Sequence, residues 1–150
     1  MPQFDVVSIG GAVKDHTLYV GGGKIFSTPQ NLTAQKMIAF EYGAKIKTNE
    51  AYLTLGGGAA NSSVVLSKLG FKTAIVCRLG NEEVADEIIT KLKKEKINTD
   101  LIQIDSKNST GFSFILVPNK KDRERTIFHY TGCGELLIFD SKKFKNLKTK

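Results

Sequence analysis

The chain has 150 residues, 41% hydrophobic and 25% charged, the proportions of a soluble globular protein with one core. Five lysines in the last ten residues, SKKFKNLKTK, supply most of the net charge of +7, so the basic balance reads first as an exposed helix or loop face and second as a nucleic-acid tail, and does not name the partner. No apolar run approaches the roughly 20 residues of a membrane span and no secretory pattern opens the chain; Cys77 and Cys133 form no disulfide framework and read as reduced thiols of a cytoplasmic protein.

Phe4–Gly10 is short, β-branched and stopped by glycines, which predicts a buried strand. His16–Val20 predicts a brief strand running into three glycines, and residues 24–37 read as polar and irregular, broken by Pro29 and Asn31. Met37–Tyr42, Ala44–Lys47 and Glu50–Leu55 suggest extended structure. Gly56–Asn61 opens a helix with Val64, Val65, Leu66 and Leu69 on its apolar side and Gly70 as its terminator. Phe71–Leu79 predicts a core strand. Asn81 is the expected N-cap of a helix over 82–96, whose Val84, Ile88, Ile89 and Leu92 recur at helical spacing. Ile102–Ile104 predicts a short strand, and Gly111–Val117 and Arg125–Tyr130 a hairpin joined by the charged turn NKKDRE. Alternating strands and helices from 52 to 104 call for a sheet with helices packed on it.

Asp15 lies just beyond the first strand's glycines, where open α/β sheets bind ligands. A carboxylate there can accept hydrogen bonds from two neighbouring hydroxyls, and equally can make a turn or cap a helix. Gly57 and Gly58 expose backbone at a helix start, and Asn61 adds a donor and an acceptor; the same glycines also suit close packing alone. Phe112, Phe114 and Leu116 alternate on one side of their strand and read as core. Arg125, Phe128, His129 and Tyr130 fall near the end of the hairpin, and His129 has no second metal-ligand candidate at a useful spacing. The dinucleotide spacing G-x-G-x-x-G and the P-loop ending in Gly-Lys-Ser/Thr are both absent.

Taken in order, FDVVSIGGAVKD, GGGAANSSVVLSKLGFKTAIVCRLG, NEEVADEII and STGFSFILVPNKKDRERTIFHY, closing at Gly132, resemble the N-terminal half of the ribokinase-like (PfkB) carbohydrate kinases. The resemblance runs from about Phe4 to Leu137. It implies an α/β fold, a ribokinase-like open sheet with flanking helices plus a small β lid, the C-terminal half being absent. Residues 1–150 would be the substrate-binding part of the kinase domain, with lid strands around 16–55 and 111–130. The implied reaction is ATP-dependent phosphorylation of a sugar or nucleoside hydroxyl by the complete enzyme, with Asp15, Gly57, Gly58 and Asn61 binding the substrate. Ribose-using members carry an asparagine two places before that aspartate, where this chain has Val13, so ribose is not singled out.

ATP and Mg2+ would bind mainly to the missing half, whose Gly-Ala-Gly-Asp motif with its general base occurs nowhere in the sequence. No catalytic residue and no metal ligand are therefore expected in residues 1–150, and the chain alone is expected to be inactive. The resemblance further implies a homodimer formed through the β lid, with no nucleic-acid or membrane partner. The alternative is a standalone sugar- or nucleoside-binding module without catalysis.

Overall fold

The computed structural model describes residues 3–118 and 124–139, with 148–149 as backbone alone. The lysine-rich tail and most of the charged turn 119–124 lie outside the described residues. Two compact units divide the chain: the first is Met1–Asp15, Leu53–Ser113 and His129–Lys150, the second His16–Tyr52 and Phe114–Phe128.

The first unit is built on parallel pairing. Strands β1 (Gln3–Phe4) and β2 (Val6–Ile9) carry the predicted first strand, broken at Asp5. β2 pairs in parallel with β7 (Thr73–Val76), Val6 opposite Thr73 through Ile9 opposite Val76. The predicted strand Phe71–Leu79 is likewise broken, resuming after Cys77 as β8 (Arg78–Leu79), parallel to β9 (Gln103–Ile104). All of β7 is buried, which explains its unbroken apolar run: a strand covered on both faces gains nothing from alternation.

Helix α1 (Gly58–Lys68) packs on β2 and β7 mainly by its small residues, with Val64 of the predicted apolar side packed beside them. Its buried face is Ala59, Ala60 and Ser63, whereas Val65 and Leu69 are 57% and 69% exposed. Small residues let the helix backbone approach the sheet closely, and that geometry leaves Val65 and Leu69 of the expected stripe outside the core while Val64 packs on it. Helix α2 (Glu83–Lys94) follows its pattern better: Ala85, Ile88 and Leu92 are buried, with Val84 and Ile89 packed beside them. Its N-cap is Glu82, not Asn81. The Glu82 carboxylate does not cap the helix; its Oε1 accepts the Thr110 N–H at 2.8 Å, tying α2 to the next strand.

Both helices end in the same backbone motif. After α1, the Gly70 N–H donates to Ser67 at 3.0 Å and the Phe71 N–H to Leu66 at 3.1 Å, with Gly70 at φ +93°, as expected for the terminator. After α2, Lys96 and Ile97 donate to Lys93 and Leu92, and the residue at φ +59° is Lys96. A side chain there costs about 1 kcal/mol that glycine would not. Lys96→Gly is therefore expected to raise stability by about that amount, read as a higher urea midpoint at unchanged slope.

Asp105 anchors the turn between β9 and the strand that begins at Thr110. It is 3% exposed and accepts the backbone N–H groups of Lys107 (2.8 Å) and Asn108 (2.9 Å) and Arg78 Nε (2.9 Å). Arg78 Nη1 also donates to the Leu136 carbonyl. These contacts, the Lys107 N–H first, hold the Asp105 carboxyl well below the usual carboxylate range. A folded pKa depressed in this way contributes stability that is fully present above the unfolded value of about 3.9 and is lost as pH falls through the folded one. Asp105→Asn should therefore be less stable than the parent at pH 7, and the difference should shrink below about pH 4. An equal difference at pH 7 and pH 3 would contradict that.

In the second unit, residues 24–37 are irregular only from 28 to 35 and are strand at both ends. β4 (Lys24–Ser27) and β5 (Lys36–Ala39) pair antiparallel, Lys24 opposite Ala39 through Ser27 opposite Lys36. Pro29 and Asn31 sit in the connection, where Asn31 Oδ1 accepts the N–H groups of Thr33 and Ala34 at 3.1 and 3.2 Å. The turn residues delimit the strands here instead of breaking them.

β3 (Val13–Val20), β6 (Thr48–Gly56), β10 (Thr110–Val117) and β11 (Thr126–Gly132) form one sheet in the order β11-β10-β3-β6. Phe112 and Phe114 are exposed while Ser113 between them is 5% exposed, the reverse of the expected core face. Among the described residues, no helix is long and apolar enough to cross a membrane.

Candidate functional site

Two glycine turns of the first unit meet beside Asp15. One is Gly10–Gly11 after β2, where Gly10 has φ +145° and donates its N–H to Val76 at 3.0 Å. The other is Gly56–Gly58, from the last residue of β6 to the first of α1. The Gly11 carbonyl accepts the N–H groups of Ala59 (3.1 Å) and Ala60 (3.3 Å). Part of the helix N-terminus is thus satisfied from within the chain and not held open for a ligand.

The three consecutive glycines have three different reasons. A Cβ on Gly56 would overlap the Asp15 carboxylate. Gly57, at φ +94°, would place a Cβ against Gly11, 2.7 Å from its carbonyl carbon and 2.8 Å from Ala12 Cα. Gly58 has nothing within 4 Å of that position. Only Gly58 leaves space that no part of the first unit fills. Gly57 is explained by close packing, and Gly56, absent from the predicted set, is the residue that lets the Asp15 carboxylate lie against the chain. A run of three glycines signals close approach somewhere, but only the register of β6 against β3 says which one faces Asp15.

Asp15 is half-buried in β3 and, among the described residues, its carboxylate meets no hydrogen-bond donor. Its neighbour Lys14 is 7% exposed and forms an ion pair with Glu87 of α2. That lysine holds the Glu87 carboxyl below its ordinary value. The cation adjacent in sequence is therefore committed to α2, leaving Asp15 its accepting capacity. Asn61 is exposed in the first turn of α1, three residues and roughly 4.5 Å of helix rise beyond Gly58. Its N–H donates to Gly57 at 2.9 Å, and its side-chain amide meets no partner among the described residues. The structure so brings Asp15, Gly57 and Gly58 to one junction, with Asn61 one turn away. Chemically the junction offers a carboxylate that accepts, an amide that does both, and open backbone at Gly58.

Among the described residues, no three His, Cys, Asp or Glu side chains gather as metal ligands. Cys77 and Cys133 are free and buried, and burial pushes the Cys77 thiol up to about 12, which leaves it protonated and unreactive. A cavity of about 420 Å³ lies within the second unit, bounded by Ile25, Lys36, Ile38 and Arg125, and none of the four predicted site residues lines it.

The sequence model of the pfkB family carbohydrate kinases matches residues 31–141. The chain belongs to that family. Mouse ribokinase is 35% identical to it over 78 residues, 52% of this chain and 24% of that protein. The structure of fructokinase from Halothermothrix orenii superposes with a TM-score of 0.64 at 26% identity, covering 94% of this chain and 42% of the other. That of Arabidopsis thaliana ribokinase, a complex with ribose and ATP, superposes at 0.64 with 18% identity over 87% of this chain and 37% of its own. The α/β architecture is thus the ribokinase-like fold, and the chain spans less than half the length of each of these relatives.

Proposed function

We propose that the complete protein transfers a phosphoryl group from ATP to a hydroxyl of a sugar or nucleoside in the cytoplasm, and that residues 1–150 supply the substrate-binding part of the kinase domain. In this reading the strands of 16–55 and 111–130 serve as the β lid and as the surface for a homodimer. The observation that carries it is the Asp15 carboxylate lying against Gly56, where a side chain would displace it, with no protein donor taking its oxygens among the described residues. A half-buried carboxylate kept clear by a glycine is suited to hydroxyl donors brought by a ligand. Membership of the carbohydrate kinase family and the ribose and ATP of the Arabidopsis structure support that assignment.

Asp15 would accept from two neighbouring hydroxyls and Asn61 would hold a third polar group from the helix start. The gain is orientation of the attacking hydroxyl, which lowers the barrier without the two residues touching the phosphoryl group. ATP with Mg2+ supplies the phosphoryl group and neutralises its charge when bound. The described residues do not fit that role: no metal-ligand cluster forms, and the α1 N–H groups of Ala59 and Ala60 already donate to Gly11. No step through the nucleotide is therefore assigned to this chain.

The test is ATP-dependent phosphorylation of D-ribose, D-fructose and adenosine by the complete protein, followed as ADP release. Turnover of any of the three supports the reading. Tight binding of a sugar with no turnover would favour a binding module without catalysis.

A further inference from the structure

We propose that Ser113 and His129 form a specificity pair that reads a substrate hydroxyl outside the two taken by Asp15; this rests on the assignment of Asp15 to the substrate floor. The His16 and Phe114 rings lie 5.0 Å apart on neighbouring strands β3 and β10, so they share one face of the sheet. Successive residues of a strand point to opposite faces. Asp15 and Ser113, each one residue earlier, therefore share the other face. On β11, His129 meets Ser113 on that same face, its Nδ1 3.1 Å from Ser113 Oγ. On β6, Gly56 lies against the Asp15 carboxylate. His129, Ser113, Asp15 and Gly56 thus lie on one face across four neighbouring strands, all within the first unit, and are taken as a row. At a strand spacing of about 4.8 Å the row spans about 10 Å from β11 to β3, the reach of a monosaccharide with its substituents.

The chemistry of the row is directional. Asp15 only accepts hydrogen bonds. With Nδ1 engaged by Ser113, the exposed His129 ring keeps Nε2 for one further bond, as donor or acceptor according to tautomer. Ser113 is buried, so it fixes the ring and acts as the positioning residue, while His129 makes the contact. A small side chain at 113 also leaves room beside Asp15 that Phe112 or Phe114 would fill, and those rings are carried on the other face. A free monosaccharide meets this row with hydroxyls along its length. A nucleoside would bring to Nε2 the ring nitrogens and exocyclic groups of its base in place of a hydroxyl, so a pair that reads a hydroxyl favours the free sugar. The substrate class that fits is a polyhydroxylated monosaccharide.

The experiment is a cycle of substrate and residue deletions on the complete protein. It compares kcat/KM for D-ribose and D-fructose with their monodeoxy analogues, in the parent, His129→Phe, Ser113→Ala and Ser113→Thr. One deoxy analogue should cost the parent roughly 10-fold or more, as expected where a site built for a hydroxyl meets a substrate lacking it. In His129→Phe that particular penalty should vanish, in Ser113→Ala it should fall partway, and Ser113→Thr should restore it, all at unchanged melting temperature. The change should appear in KM for the sugar more than in kcat. Equal penalties in the parent and His129→Phe, with Asp15→Ala still damaging sugar turnover, would overturn the pair and leave the Asp15 assignment standing. Turnover of adenosine in preference to both sugars would overturn the pair as well. If Asp15→Ala leaves sugar kinetics unchanged, both assignments fall together.

Discussion

Gly57→Ala is expected to destabilise the fold sharply, and Gly58→Ala, one residue on, to stabilise it. At Gly57 the backbone holds φ +94° with ψ 141°, a region essentially reserved for glycine, where any side chain costs about 1–3 kcal/mol in strain alone. The new Cβ would also press on the Gly11 carbonyl, which accepts the first N–H groups of α1. Relief requires moving one glycine turn away from the other, so the loss should exceed the strain term. At Gly58 the backbone is helical and the space beyond Cα is open. Alanine there should gain about 0.5–1 kcal/mol by lowering the entropy of the unfolded chain. Urea denaturation of the two variants reads both signs in one experiment. The pair also separates packing from ligand access: Gly58→Ala should weaken sugar binding despite its higher stability, because its methyl would occupy open space at the junction. A stabilised variant with unchanged sugar affinity would remove Gly58 from the substrate site.

Much of the fold was legible because its strongest signals are local. Gly70 after a helical segment, the apolar run Thr73–Val76 and the Ile88–Leu92 spacing each specify structure within one turn or one strand. What was not legible depends on partners distant in sequence. Nothing local says that α1 buries Ala59, Ala60 and Ser63 in preference to Val65 and Leu69; the closeness of β2 and β7 decides it. The cap of α2 moved from Asn81 to Glu82 as the Glu82 carboxylate bonds to Thr110, 28 residues away. Phe112 and Phe114 looked like core because alternating aromatics usually are, yet it is the intervening serine that is buried. The junction itself was half legible. Asp15, Gly57, Gly58 and Asn61 could be named from the sequence, but the role of Gly56, and the division of the three glycines between packing and open space, required the register of β3 against β6.

Asp15→Ala should lower kcat/KM for the true sugar of the complete protein roughly 10-fold or more, at unchanged stability. The two halves of that expectation have separate grounds. Removing one partner of a bound polar pair leaves the substrate hydroxyls unsatisfied, which costs about 1–3 kcal/mol and more where a charge takes part. Stability should hold because, among the described residues, no donor depends on the Asp15 carboxylate, and Gly56 beside it has no side chain to lose a contact. Asn61→Ala should behave alike, since its exposed amide has no protein partner among the described residues and alanine is the better helix former. KM for ATP should barely move in either variant, because neither side chain is placed to meet the nucleotide in the proposed reading. Steady-state kinetics with sugar and ATP varied in turn, beside a thermal melt, distinguish the possible causes of any loss. A loss of activity that tracks a loss of melting temperature would make both residues structural. A rise confined to KM for ATP would place the nucleotide, and not the sugar, at the meeting point of the two glycine turns.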